Sequence, residues 1–247
     1  MDMRWPKTDF HVHATYYRAW DARSDMKVVD VVRRYEELGF SAIGVVEHLD
    51  SSPKHPLSCL RALVEEARGI SPQLSLFLGA EVDVRKDGGL TCPSGLKEEL
   101  GLDFLLVAVH GIGEMPDTVE EFVDIYHRAL MAAAISEGDV VAHPWTWRPP
   151  LDEGEWGFGR IPEEYLKEFA EALADTGKAV EVSRKAVRDF PDPAYRKFLQ
   201  GVLQAGVRVS VGSDAHDRKL LGTTDDVDRF LQEIGLKPDQ LWSPKRK

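Results

Sequence analysis

The chain has 247 residues, of which 43% are hydrophobic and 30% are charged, and its formal net charge is −11. These values are typical of a globular protein that buries a substantial core, and no run of about 18 apolar residues predicts a membrane span. The acidic balance argues against long nucleic acids as partners, because the only dense basic run is residues 245–247.

Short apolar runs rich in β-branched residues alternate with helical patterns along the chain, and most of the helical patterns end at a glycine. The predicted strands are 8–13, 42–48, 74–84, 104–110, 140–143, 179–183 and 207–212. The predicted helices are 26–38, 56–68, 94–100, 118–137, 162–176, 193–205 and 224–234. This alternation predicts a parallel sheet.

Polar residues at nearly every strand end favour closure of that sheet into a barrel. We therefore expect an α/β fold, a distorted seven-stranded (β/α)7 TIM-like barrel, with residues 1–247 forming a single domain. An open doubly wound sheet is the alternative, but it would draw its site from only two or three strands. The glycine-rich motifs of dinucleotide and P-loop sites are also missing from the required positions.

Six of the eight histidines lie at the predicted strand ends, together with two carboxylates. Since His11 and His13 are two residues apart on a strand, they are expected to share one face. Imidazole and carboxylate side chains that meet at one end of a barrel suit two or three divalent metal ions, zinc, manganese or iron. The expected ligands are His11, His13, His48, Glu81, His110, His143, Asp214 and His216.

The other histidines and two further acidic residues are expected to have supporting roles. His127 lies within a predicted helix and is expected to be structural, and His55 lies in a loop. Glu47 is expected to orient His48 rather than bind a metal. Asp9 is expected to point away from the face of His11 and to be structural.

The connection 144–161 is long and lacks periodicity, and such loops are often functional lids. Its aromatic residues either cover the metals and stack on a flat group of the substrate or simply seal the end of the barrel. The residues concerned are Trp145, Trp147, Trp156 and Phe158, accompanied by Arg148 and Arg160.

The ordered set of motifs resembles the polymerase-and-histidinol-phosphatase (PHP) family from Thr8 to His216. It comprises His-x-His at 11–13, Glu47-His48, Glu81, His110, His143 and Ser-Asp-Ala-His at 213–216. The resemblance implies a trinuclear site that hydrolyses phosphoesters.

The resemblance also implies how the ligands are divided among the ions. One ion would be held by His11, His13, Glu81 and Asp214, and a second by Glu81, His110 and His143. The third would be held by His48 and His216 with one more ligand, for which the spacing departs from the common form. Asp25 is favoured for that position, with Asp21 as the alternative.

The expected reaction is hydrolysis of a small phosphorylated substrate by a water molecule that the metals activate. Asp214 or His216 would deliver a proton to the leaving group. By resemblance to histidinol-phosphate phosphatases of the family, Arg184 and Arg188 are expected to clamp the phosphate, because a guanidinium fork matches its oxygens. The further candidates for the clamp are Arg18, Arg148 and Arg160.

We therefore expect a phosphomonoesterase, with histidinol phosphate as the leading named substrate. The alternatives are a nucleotide phosphodiesterase or nuclease, an amidohydrolase-like hydrolase, and a non-catalytic metal-binding PHP module. The sequence 107–110, Val-Ala-Val-His, lacks the lysine that amidohydrolases often have at the end of the fourth strand. Two cysteines without CxxC spacing and no signal-peptide pattern predict a cytoplasmic location. The oligomeric state is left open.

Overall fold

Seven parallel strands form one sheet in chain order in the computed structural model, which describes residues 5–14, 26–50, 56–111, 116–146, 157–190 and 193–245. The strands are β1 (Thr8–His13), β2 (Ala42–Leu49), β3 (Ser75–Asp83), β4 (Phe104–Ala108), β5 (Val140–Val141), β6 (Ala179–Ser183) and β7 (Val209–Gly212). The sheet closes between β1 and the residues that follow β7, because His13 N–H donates to Ala215 O (3.0 Å) and Asp214 N–H donates to His11 O (2.9 Å). The predicted TIM-like barrel is confirmed.

Helices pack around the outside of this barrel. They are α1 (Val28–Glu37), α2 (Leu57–Arg68), α3 (Leu96–Leu100), α4 (Val119–Ile135), α5 (Glu163–Thr176), α6 (Arg184–Asp189), α7 (Pro193–Gln204) and α8 (Asp225–Glu233). Short 3₁₀ turns span Phe158–Arg160, Arg218–Leu220 and Pro238–Gln240. Helix α1 buries Val28, Val31, Val32 and Tyr35, the spacing of one apolar face. Within the described ranges, no helix has both the length and the apolar character needed to cross a membrane.

A bulge in β1 decides which side chains enter the barrel. Asp9 pairs with Ile43 and Val12 pairs with Val45, so two residues of β1 lie opposite the single residue Gly44. Strict alternation would place Asp9 on the same face as His11. The bulge instead lets Asp9 face the helical layer, where the Tyr35 hydroxyl donates to its carboxylate. Asp9 also accepts the N–H groups of His11 and Ser213, which fits the expected structural role.

Aromatic side chains fill the end of the barrel opposite the histidines. Trp242, in the C-terminal segment, packs edge-to-face on Phe10 (ring centroids 5.5 Å apart) and Phe104 (5.6 Å). Gly44 and Gly79 leave room for the Phe104 ring, because a Cβ at either position would lie 2.7 Å from its Cζ. This packed layer confines any site to the opposite end, at the carboxyl termini of the strands.

Candidate metal centre

Every predicted metal ligand within the described residues lies in one cluster at the carboxyl end of the barrel. Four overlapping groups place one donor atom per residue within 4.8 Å of one another. The groups are His11–His13–Asp214, His11–Glu81–His143, His48–Glu81–His110 and His13–His48–His216. The first group matches the implied first site, to which Glu81 adds. The other groups divide the ligands differently from the implied pattern, because His13 joins His48 and His216 and because His110 and His143 fall in separate groups.

Glu81 lies at the centre of this cluster and is 1% exposed. Burial alone would raise the pKa of its carboxyl, but the positive charges of His48, His11 and His110 hold that pKa well below its ordinary value. Its Oε2 lies 3.3 Å from Nε2 of both His11 and His13 and 2.9 Å from Nδ1 of His48. Its Oε1 lies 3.3 Å from Nε2 of His110 and 2.9 Å from Nε2 of His143. One ionised carboxylate therefore lies among five imidazole rings.

Two pairs of imidazole nitrogens face each other in the cluster. Nε2 of His11 lies 3.0 Å from Nε2 of His13, and Nε2 of His48 lies 3.2 Å from Nε2 of His216. Nδ1 of His11 lies 2.9 Å from Glu181 Oε1, so a neutral His11 that donates there presents a lone pair at Nε2. Asp214 Oδ1 lies 3.5 Å from Nε2 of both His11 and His13. Convergent lone pairs beside carboxylates are the donor set of a divalent metal site, and the residues present fit such an ion.

The protonation states of Asp214 and His216 suit metal ligation. Burial would raise the pKa of Asp214, but the charge of His11 and a hydrogen bond from His13 hold it far below its ordinary value. Burial and repulsion from His13 lower the pKa of His216 to about 3. An ionised carboxylate and a neutral imidazole are good metal ligands, and the predicted proton delivery by Asp214 or His216 stays a prediction.

Residues with strained backbone follow the ends of β5 and β7. His143 (φ 34°), Trp145 (φ 64°) and Asp214 (φ 52°) are the non-glycine residues with positive φ among those described. His143 cannot continue a strand in this conformation, which explains why β5 ends at Val141 rather than at 143 as predicted. Its N–H donates to Glu181 Oε2 (2.8 Å), and the Thr146 hydroxyl donates to its carbonyl (2.8 Å).

Two carboxylates that orient these histidines were not predicted. Glu181 is 1% exposed, and its two oxygens accept His11 Nδ1–H and the His143 N–H. Asp83 Oδ1 lies 2.7 Å from His110 Nδ1. The pKa of His110 is raised to about 11, because the attraction of Glu81 and Asp83 outweighs the lowering effect of burial. An acidic residue within the otherwise apolar strand 179–183 was the available sequence signal for Glu181.

Gly212 makes the position of Glu181 possible. A Cβ on this residue would lie 1.8 Å from Glu181 Oε1 and 2.8 Å from His11 Cβ. Any larger residue at the end of β7 would therefore displace the carboxylate that holds His11.

Arg184 and Arg188 line a pocket to which none of the described metal ligands contributes, and their predicted role as a phosphate clamp stays a prediction. The Ser183 side chain caps α6 by accepting the Ala186 N–H (3.2 Å), and the helix buries Ala186 against the barrel. Residues four apart on a helix share a face, so both arginines line a separate pocket with residues of α7 and α8. The sequence did not predict this short helix. Arg160 lines a different groove, between α5 and α7, and Arg18 and Arg148 lie outside the described residues.

Seven further predicted residues fall into two groups. Asp21, Asp25, His55, Trp147 and Trp156 lie outside the described residues. Trp145 and Phe158 are fully buried, so these two members of the predicted lid belong to the core. Trp145 packs on Tyr126 and His127, and Phe158 packs on Phe190 and Tyr195.

His127 and Glu47 both lie apart from the cluster. His127 Nε2 lies 2.9 Å from Glu168, which is the structural role expected of it. Alternation along β2 places Glu47 on the opposite face from His48, whose ring nitrogens face Glu81 and His216, and its predicted orienting role stays a prediction.

Comparison with known proteins identifies relatives of this chain. The chain is 25% identical over 181 residues to a probable phosphatase of Pectobacterium carotovorum subsp. carotovorum, a match that covers 70% of this chain and 66%, just under two thirds, of that protein. It is 18% identical over 243 residues to a probable phosphatase of Clostridium acetobutylicum, covering 97% of this chain and 91% of the relative.

A solved structure has the same fold. The crystal structure of histidinol phosphate phosphatase from Lactococcus lactis subsp. lactis, complexed with zinc, L-histidinol and phosphate, superposes with a TM-score of 0.68 at 21% identity and covers 94% of both chains. The PHP domain profile matches residues 9–185, which is more than half of the sequence. The chain belongs to the PHP domain family.

Proposed function

We propose that this protein is a metal-dependent phosphoesterase that acts on a small phosphorylated metabolite. The observation that supports it most is the convergence of five imidazole rings on the two oxygens of the buried, ionised Glu81. Membership of the PHP domain family and the similarity to two probable phosphatases support the same reaction class.

In this proposal Glu81 is shared between ions. His11, His13 and Asp214 would complete one site, and His48 and His216 would serve another. His110 and His143 would serve a further site, because both lie beside Oε1 of Glu81 although they fall in separate donor groups. Bound divalent ions would supply Lewis acidity, which lowers the pKa of water and neutralises the oxygens of a phosphoryl group. Glu181 and Asp83 would hold His11 and His110 with their ligand nitrogens directed inward.

A phosphomonoester is the favoured substrate, and histidinol phosphate is the named candidate. The fold shared with the Lactococcus enzyme supports this choice only at the level of architecture. The net charge of −11 disfavours long nucleic acids, although not nucleotides. An amidohydrolase reaction is less well supported, because residues 107–110 at the end of β4 include no lysine and two of the described donor groups share Glu81 instead.

The test is removal of the shared carboxylate. We expect Glu81→Gln to lose at least one equivalent of metal and to lower phosphoester hydrolysis by more than about 100-fold, the upper end of what loss of an orienting group costs. Metal content is measured by mass spectrometry and hydrolysis with p-nitrophenyl phosphate.

Glu168→Gln is the matched control, because Glu168 also pairs with a histidine but lies away from the cluster. Full metal content and normal hydrolysis in Glu81→Gln would rule out the shared-carboxylate site.

A further inference from the structure

A second, strongly basic pocket lies outside the barrel. It has a volume of about 370 Å³ and is formed where α6, α7 and α8 meet. Its lining residues are Arg184, Val187, Arg188, Arg196, Asp226, Arg229, Phe230 and Glu233. Four guanidinium groups face two carboxylates, so the pocket is positive within a chain whose formal net charge is −11. None of the candidate metal ligands that the structure describes lines it.

Three of the four arginines of this pocket are ion-paired but retain unused donors. Arg196 pairs with Glu233 (3.0 Å), Arg229 with Asp226 (3.2 Å) and Arg188 with the adjacent Asp189 (2.8 Å). Each guanidinium has five N–H donors, and these pairs engage a minority of them. Ion pairs between such exposed groups are weak, so a stronger anion can replace a carboxylate.

Arg184 is the unsatisfied cation of the pocket. It is half-buried and makes no hydrogen bond or ion pair with any described residue. Arg184 and Arg188 lie one turn apart on α6, and their neighbours come from α7 and α8, so guanidinium groups from three helices converge on the same space. An arrangement of this kind satisfies several oxygens of one anion at once.

An aromatic ring fixes one wall of the pocket. The Arg196 guanidinium lies over the Phe230 ring, 5.1 Å from its centroid, and Tyr195 stacks on the same ring at 5.7 Å. This contact restricts the conformations of Arg196, so less conformational entropy is lost when it binds an anion. With Arg196 and Tyr195 already packed on Phe230, a compact anion fits the pocket better than a flat aromatic ligand.

We propose that this pocket is a second anion site that binds a phosphate group, either free inorganic phosphate or the phosphoryl group of a small metabolite. Planar guanidinium forks match phosphate oxygens in geometry and charge. The proposal does not depend on hydrolysis at the metal cluster, because the two sets of residues share no member.

The test is calorimetric titration of inorganic phosphate into the metal-loaded protein and into protein treated with a chelator, which separates the pocket from the metal centre. We expect saturable binding of one phosphate by the chelated protein, weakened by added salt. Arg184→Gln combined with Arg229→Gln should weaken this binding by about tenfold or more, as expected for lost charge-assisted hydrogen bonds. The two single variants, each with a smaller loss, replace the double variant if it fails to fold.

Arg61→Gln is the matched control, since Arg61 is an exposed, ion-paired arginine of α2 that does not line the pocket. A parallel titration with glycerol 3-phosphate distinguishes the sources, because preference for phosphate indicates the free ion and preference for the phosphomonoester indicates an organic phosphoryl group. Absence of binding to the chelated protein would overturn the proposal. So would equal binding by wild type and the Arg184 and Arg229 variants. If phosphate binds here while no phosphoester is hydrolysed, the second site stands and the proposed function fails.

Discussion

Replacing Glu181 with glutamine tests whether a buried carboxylate outside the ligand set controls metal affinity. In the wild type, Oε1 accepts His11 Nδ1–H at 2.9 Å and Oε2 accepts the His143 N–H at 2.8 Å. A glutamine has one oxygen acceptor, and its amide nitrogen cannot accept a hydrogen bond. Glu181→Gln therefore loses one of the two bonds and the negative charge that keeps His11 basic.

The expected cost follows from the kind of bond that is lost. A hydrogen bond to a charged group contributes about 1.5–3 kcal/mol, and loss of the group that orients a metal-binding histidine lowers metal affinity by about 10–100-fold. Both His11 and His143 belong to donor groups that contain Glu81, so the loss is expected at the ions that share Glu81. Glu181→Ala should be worse, because it leaves both donors without a partner.

The assay is a competition titration of zinc against a chelating dye, with circular dichroism to confirm folding. Glu168→Gln is the control, because Glu168 pairs with His127 at the same distance of 2.9 Å but lies away from the metal ligands. We expect weaker zinc binding in Glu181→Gln and unchanged binding in Glu168→Gln. Zinc affinity within twofold of wild type in a folded Glu181→Gln would refute the orienting role.

Three further predictions follow from the structure. Gly212→Ala should displace Glu181, which lowers metal affinity and costs about 1–3 kcal/mol of stability in urea unfolding. Gly201→Ala is the control and should be neutral or stabilising, because a Cβ at Gly201 meets nothing within 4 Å. Burial and repulsion from Asp225 raise the pKa of Asp228 to about 6 from 3.8, so stability falls as pH rises between these values. Asp228→Asn should then be about 1 kcal/mol more stable above pH 6, after allowance for solvent screening, and no more stable below pH 4. A metal at 100 times its dissociation constant stabilises a fold by about 2.7 kcal/mol, so chelation should lower Tm, and an unchanged Tm would argue against bound metals.

The barrel and its cluster were predictable because their signals are local. Alternating strands and glycine-capped helices predicted the order of the elements, and polar residues at strand ends predicted where the ligands meet. The split into metal groups was less predictable, because it depends on which ring nitrogen faces which neighbour. His48, for example, presents Nδ1 to Glu81 and Nε2 to His216.

The features that sequence reasoning missed depend on contacts between distant segments. Glu181 acts on His11 only because Gly212 leaves space for its carboxylate, and three different strands supply these residues. The position of Arg184 and Arg188 beside α8 was not predicted, because the serine cap that starts α6 was not recognised. The outward position of Asp9 depends on a bulge that composition does not predict.

The most direct test of the central claim is hydrolysis after controlled metal loading. Protein stripped by a chelator and reconstituted with zinc, manganese or iron is assayed with p-nitrophenyl phosphate, bis-p-nitrophenyl phosphate and histidinol phosphate. We predict metal-dependent release of product that is faster for the monoesters and absent from the stripped protein. A metal-loaded protein that hydrolyses none of the three would contradict the proposed phosphoesterase, and preference for the diester would contradict its assignment as a phosphomonoesterase.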